Sequence, residues 1–248
     1  MHATLKIKDE LYTINLQSPL DISIPLRASN ANVRAWYLDS PKIEPVRLDN
    51  WVGKVSEGAS VNFNTITFNP HAHGTHTEGV GHISEKVHSV NETLSHFFYT
   101  AQVISVAPEK VGDDAIIPAI EIKNLLDGNR PEALIIRTLP NTQEKKSKHW
   151  SHSNWPYLHE DAARYLRELG VRHLLIDLPS VDKEKDGGKL LAHKAFWNCP
   201  EAPRHDATIT ELIYVPNSVA DGKYLLNLQV AAFENDAAPS RPVLYALE

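Results

Sequence analysis

The chain has 248 residues, 42% hydrophobic and 23% charged, which is the balance of a soluble globular protein long enough to bury a substantial core. A formal net charge of −6 excludes nucleic acid as a general partner, because phosphate recognition needs a basic face. The one cysteine, Cys199, excludes an internal disulfide and is read as structural. No apolar run approaches the roughly twenty residues needed to cross a bilayer. With a polar first ten residues and no apolar signal core, a cytoplasmic protein is expected.

Residues 20–26 alternate apolar and polar side chains and predict a strand closed by Pro25. A second short strand is expected over 33–38, carrying Trp36 and Tyr37, followed by a loop over 40–58. Alternation returns over 60–68 and predicts a strand leading into a histidine-rich segment. From there the pattern changes to strand and helix. Strands are expected at 101–107, 133–136 and 174–176, the last two as apolar runs buried on both faces. Helices are expected at 118–126, closed by Gly128, and at 157–169, with Pro156 at its start and Gly170 as its stop. Closing strands at 208–215, 224–233 and 243–247 complete an α/β chain: one domain over 1–248 with a central mixed sheet and packed helices. The cationic run Lys145-Lys146-Ser147-Lys148 reads as a solvated loop.

The segment 68–82 is the chemical centre of gravity. His71, His73, His76 and His82, with Glu78 and three glycines, fall between positions 71 and 82. Imidazole and carboxylate together suit a zinc-like divalent cation, and the glycines let the backbone bend so that neighbours converge. As extended chain, His76, Glu78 and His82 share one face, with His71 and His73 just before the turn at Gly74. His88, His96, His149, His152, His159 and His173 lack ligand-like spacing to a carboxylate and read as surface or helix residues. His205 stands six residues before Glu211 and rivals His193 as a distant ligand.

Two signatures compete for this segment. His71-Ala72-His73 followed by Glu78 satisfies the core of the cupin metal motif, which would make the chain a cupin-like metal oxygenase. The glycines that flank that motif, its second half and a barrel-compatible pattern are all missing. Gly74-Thr75-His76-x-Glu78-x-x-x-His82 instead resembles the centre of His-x-Gly-Thr-His-x-Asp-x-Pro-x-His, the signature of the cyclase-like metal hydrolase family. Glu78 stands for the family aspartate, Val80 for its proline, and Ala72 where its leading histidine would be. Further matches follow in order. Residues 21–26 resemble the family's N-terminal Asp-Leu-Ser-x-Pro-Leu, and 177–182 its Asp-Thr-Pro-Ser-Val-Asp turn, with His193 beyond. Glu211 resembles its strand glutamate, and 221–224 and 238–243 its last turns.

The resemblance implies a kynurenine formamidase-like (cyclase) fold and an arylformamidase-like enzyme that hydrolyses a formamide, amide or lactam carbon–nitrogen bond. It implies one or two metal ions, zinc or manganese, held by His71 (or His73), His76, Glu78, His193 and Glu211. It places His82 as the catalytic acid–base and Trp36 near the substrate, although a lone tryptophan equally packs a core. A small-molecule substrate and a homodimer or higher homo-oligomer are implied as partners, with no nucleic acid or membrane. A metal-holding binding protein that has lost turnover through Glu78 and Val80 is the non-enzymatic alternative.

Overall fold

The computed structural model describes residues 1–248 and is built on a nine-stranded mixed sheet. An N-terminal hairpin pairs β1 (His2–Ile7) with β2 (Glu10–Asn15), and β3 (Leu20–Asp21) forms one edge of the main sheet. An arm follows, in which β4 (Lys42–Pro45) pairs with β7 (Asn64–Thr67) and, between them, β5 (Arg47–Leu48) pairs with β6 (Trp51–Val52). Then come α1 (Pro70–His73), β8 (His76–Glu78), α2 (Val90–Thr93) and the long β9 (Phe98–Val106). The hairpin of β10 (Glu109–Val111) and β11 (Asp114–Ile117) leads to α3 (Ala119–Leu126), β12 (Ala133–Thr138), β13 (Tyr157–Leu158), α4 (Glu160–Leu169) and β14 (His173–Ile176). The chain closes with α5 (Leu191–Trp197), β15 (Thr208–Glu211), β16 (Gly222–Asn227), β17 (Ala237–Pro239) and β18 (Val243–Ala246).

The sheet order is β17-β8-β15-β14-β12-β9-β16-β18-β3. Its middle strands β15, β14, β12 and β9 are parallel, and antiparallel strands flank them on both sides. Every residue of β12 and β14 is buried, as strands covered on both faces require. On one face, Leu134, Ile136, Leu174 and Ile176 pack under Ile122 and Leu126 of α3 and Ala162 and Leu166 of α4. On the other, Ile135, Leu175 and Val103 meet Ile22, Ile213, Leu226 and Leu228. Full burial of one such aliphatic side chain contributes roughly 1.5–3 kcal/mol, so these two cores hold the sheet in place. In α4 the His159 ring accepts the Asp161 N–H, and Gly170 ends the helix at φ 93°, a left-handed turn that glycine enters without strain.

The mixed α/β expectation holds, while several local expectations do not. Only Leu20 and Asp21 pair as a strand; beyond them the Ile22 N–H donates to the Pro242 carbonyl, its carbonyl accepts the Tyr214 N–H, and the Ile24 N–H donates to the Thr75 hydroxyl, while both side chains are buried in the two cores. Residues 33–38 are not a strand, since Trp36 and Tyr37 both adopt left-handed backbone at φ 59° and 61°. The expected loop over 40–58 instead forms the arm's strands. The helix expected from 157 starts at Glu160, with Tyr157 and Leu158 pairing to β11. Lys145 is not solvated: its ammonium donates to Asp177 and Thr138 in the interior. Nor is His173 a surface residue, being buried in β14 with Nδ1 2.9 Å from the Thr208 hydroxyl. The mixed sheet with covering helices is no cupin barrel, and the oxygenase expectation falls with it.

Candidate metal centre

The short strand β8 carries His76 and Glu78 on one face, as period-two alternation dictates. It lies antiparallel to β15 in a register that sets Glu211 opposite His76, and to β17 in a register that sets Ala237 opposite Glu78. His71 comes from the single turn of α1, which starts at Pro70, where the missing N–H is no loss. His82 closes a 3-10 turn, Val80–His82. Position 81 must be glycine, because a Cβ there would lie 2.2 Å from the His88 carbonyl oxygen. His193 arrives on α5, whose first turn is held by Asp182 accepting the Ala192 and His193 N–H groups.

These side chains meet at one point. Glu78 Oε2 lies 3.1 Å from His71 Nδ1, 3.8 Å from His82 Nε2 and 4.0 Å from His76 Nε2. The other oxygen, Oε1, is 3.1 Å from His193 Nε2. Glu211 adds contacts of 3.4 Å to His76 Nε2 and 3.8 Å to His193 Nε2, and its Oε1 accepts the Val181 N–H. His76, Glu78, His193 and Glu211 are buried, whereas His71 and His82 reach solvent and leave one side open.

Each imidazole has its outward nitrogen tied to an oxygen. His76 Nδ1 donates to the Gly74 carbonyl at 3.1 Å, and His193 Nδ1 to Asp182 at 2.5 Å. His71 Nε2 and His82 Nδ1 both donate to Asp236 Oδ2, at 3.1 and 3.0 Å. The remaining nitrogens point at the centre, so a bound cation would meet their lone pairs, the orientation that metal ligation needs.

The electrostatics follow from this crowding. Burial would raise the Glu78 carboxyl, but His82, His193 and His71 hold it well below the usual range. Burial pulls the His71 imidazolium down, yet the Asp236 and Glu78 carboxylates on either side of the ring outweigh it and push its pKa up to about 10. The same contest, with Asp182 and Glu78, leaves His193 raised. Hydrogen bonds from His71 and His82 hold Asp236 well below a normal carboxylate.

The donor set fits a divalent cation on a further observation. His76 Nε2 and Glu78 Oε2 are buried without any hydrogen-bond partner. A buried, unpaired polar atom costs on the order of 1–3 kcal/mol, more when charged, so two side by side call for a bound group. His/Glu combinations from this cluster place their ligand atoms within 4.8 Å of one another.

All five residues expected as ligands, and His82, converge here. Of the two candidates for the leading histidine, His71 is in the cluster. His73 is not, its Nδ1 accepting the Asn69 N–H and its Nε2 donating to the Asp39 carbonyl. His205 lies instead beside His88, with ring centroids 4.4 Å apart. Trp36 packs edge-on to Trp155, 5.0 Å between centroids, against the core. Sequence reasoning missed the role of Asp236. Its signal was its place two residues before the matched turn at 238–243, since β17, which follows it, is bonded to the strand of Glu78.

Residues 20–183 match the family model described as "Putative cyclase". The chain is 31% identical over 232 residues to the kynurenine formamidase of Bacillus cereus (strain ATCC 10987 / NRS 248), covering 91% of this chain and 96% of that one. Its fold is similar to that of a potential metal-dependent hydrolase with cyclase activity, at TM-score 0.67, 18% identity and coverage of 93% and 98%. An isatin hydrolase bound to the product analogue thioisatinate is similar at TM-score 0.66 and 14% identity, with coverage of 93% and 92%.

Proposed function

The chain belongs to the cyclase family, and from that premise we propose a metal-dependent hydrolase that cleaves a carbon–nitrogen bond of formamide, amide or lactam type. The observation that carries this reading is the pair of unpartnered buried atoms, His76 Nε2 and Glu78 Oε2, facing one another among four imidazoles. The curated relatives named kynurenine formamidase and the fold shared with an isatin hydrolase support the bond type.

His71, His76, Glu78, His193 and Glu211 are proposed to hold one or two ions, with zinc favoured by the nitrogen-rich donor set and manganese the rival for the carboxylates. A bound cation supplies acidified water and a polarised carbonyl at neutral pH. The chain's own residues do the rest. Glu78 presents one oxygen to each side of the cluster and so bridges the His71 and His193 halves. His82, anchored through Nδ1, keeps Nε2 free toward the centre, where it can take the proton given up by the attacking water and pass it to the leaving nitrogen. The buried residues exclude water from behind, so substrate enters past His71 and His82. Trp36 is proposed as a substrate wall, supported by the Ala35 N–H that bonds the Ala72 carbonyl of α1 and holds its segment beside the site.

A homodimer is proposed through the arm, where Ile43, Val61, Phe63 and Ile66 stay exposed. The cytoplasm is proposed as its compartment, in keeping with the unpaired Cys199. No helix is long and apolar enough to cross a membrane.

The test is elemental analysis of the purified protein together with hydrolysis of N-formylkynurenine, simple formanilides and isatin. Zinc- or manganese-dependent turnover of at least one supports the reading. Absence of any bound divalent cation after loading would end it, and tight ligand binding without product would favour the non-catalytic alternative.

A further inference from the structure

Asp236 sits in the loop before β17, with its backbone carbonyl accepting the Gly79 N–H at 3.0 Å. The strand that follows pairs with β8, so the backbone that carries this carboxylate is bonded to the backbone that carries Glu78. Its Oδ2 receives two imidazole nitrogens, His71 Nε2 at 3.1 Å and His82 Nδ1 at 3.0 Å. An ionised carboxylate only accepts, so both nitrogens carry their protons toward it. The two rings lie 4.3 Å apart at 31°, nearly stacked over the shared oxygen. Their opposite nitrogens, His71 Nδ1 and His82 Nε2, point toward Glu78 Oε2, at 3.1 and 3.8 Å, where a bound cation would meet them.

The inner histidines have separate anchors, the Gly74 carbonyl for His76 and Asp182 for His193. The two outer ones have Asp236 alone on their outward side, and both are partly exposed, where an unanchored ring would rotate and its tautomer would be set by water. We propose that Asp236 is a shared positioning residue, one carboxylate that orients both the ligand His71 and the acid–base His82, so that metal retention and proton delivery depend on the same contact. This inference rests on the metal-hydrolase reading.

The test compares the wild type with Asp236→Asn, Asp236→Ala and Asp236→Glu in full-length protein, using zinc in competition with a chromophoric chelator and cobalt(II) as a spectroscopic probe. Losing a partner that orients a metal ligand typically lowers metal affinity 10–100-fold. Asp236→Asn and Asp236→Ala are expected to lose zinc affinity in that range and to alter the cobalt d–d bands. At saturating metal they are expected to lower kcat at least tenfold with KM within about threefold. Asp236→Glu recovers part of both properties. In a His82→Gln background, Asp236→Asn still weakens zinc but lowers kcat no further. If Asp236→Ala does not fold, the near-isosteric Asn variant carries the comparison, with imidazole nitrogen NMR reading the two tautomers directly.

A wild type that binds zinc while Asp236→Asn keeps its affinity and cobalt spectrum overturns this inference and leaves the hydrolase reading standing. Loss of affinity without loss of kcat, or the reverse, overturns the shared role. A wild type that binds no divalent cation overturns the hydrolase reading and this inference with it.

Discussion

Glu211 faces His76 directly across the β15–β8 ladder, with its carboxylate 3.4 Å from the imidazole Nε2. The two residues are 135 positions apart, and only the antiparallel register brings them together. Directly opposite side chains on one sheet face lie about 4.5–5.5 Å apart at Cβ, so the ladder itself builds half of the histidine–carboxylate cluster. The other half is brought by α1, by the Val80–His82 turn and by α5, none of which is a rigid strand. The inner wall is therefore pre-set, and the outer wall depends on hydrogen bonds.

Glu78 bridges the two halves, reaching His71 with one oxygen and His193 with the other. Glu78→Asp shortens the side chain by one methylene on a strand held from both sides. The expected outcome is at least a hundredfold fall in kcat/KM and a lower metal content, although aspartate is the family's usual residue. Metal analysis and steady-state kinetics check this; full activity in the variant would show that the backbone can advance to compensate.

Gly81→Ala would force a Cβ to within 2.2 Å of the His88 carbonyl oxygen, and neither partner is a flexible side-chain tip. Relief requires moving the turn that carries His82. A stability loss of about 1–3 kcal/mol is expected, as for overpacked sites. Turnover falls further than stability alone explains, because His82 no longer points at the centre. Urea unfolding and kcat measured at a temperature where the variant is fully folded separate the two effects.

Burial depresses the His173 imidazole to a pKa of about 3, with Arg172 adding to the effect. The folded chain thus keeps this ring neutral, whereas the unfolded chain protonates it below about 6.5. Stability from this residue is complete above pH 6.5 and is lost as pH falls from there toward 3. Between pH 7 and pH 4 the loss is roughly 2–3 kcal/mol. His173→Gln should flatten that part of the profile, which urea midpoints across the range would show. An unchanged slope would mean the ring is protonated in the native state.

Lys145 donates to Asp177 at 2.8 Å and to Thr138, and both charged groups are buried. Burial still raises the Asp177 carboxyl against the pull of Lys145 and Thr138. Lys145→Met strips the partner from a buried carboxylate and is expected to destabilise by about 3–5 kcal/mol. Adding Asp177→Asn removes the orphaned charge and should recover much of that loss. Denaturant titrations of the two single variants and the double variant measure the coupling, and strict additivity would contradict the pairing.

The sequence by itself determined where metal-ligand residue types gather and which segments are buried on both faces. Histidine density around 71–82, the glycines that bend it and the apolar runs at 133–136 and 174–176 are local properties of composition and period. They need no knowledge of distant chain. Only tertiary structure places His71 rather than His73 in the cluster, because His73 spends both ring nitrogens on Asn69 and Asp39. It also brings His193 rather than His205 to the cluster, buries Lys145 and His173, and brings in Asp236 from 154 positions beyond His82. Each of these depends on a partner remote in sequence, where period and spacing carry no information and only strand register and packing select the contact.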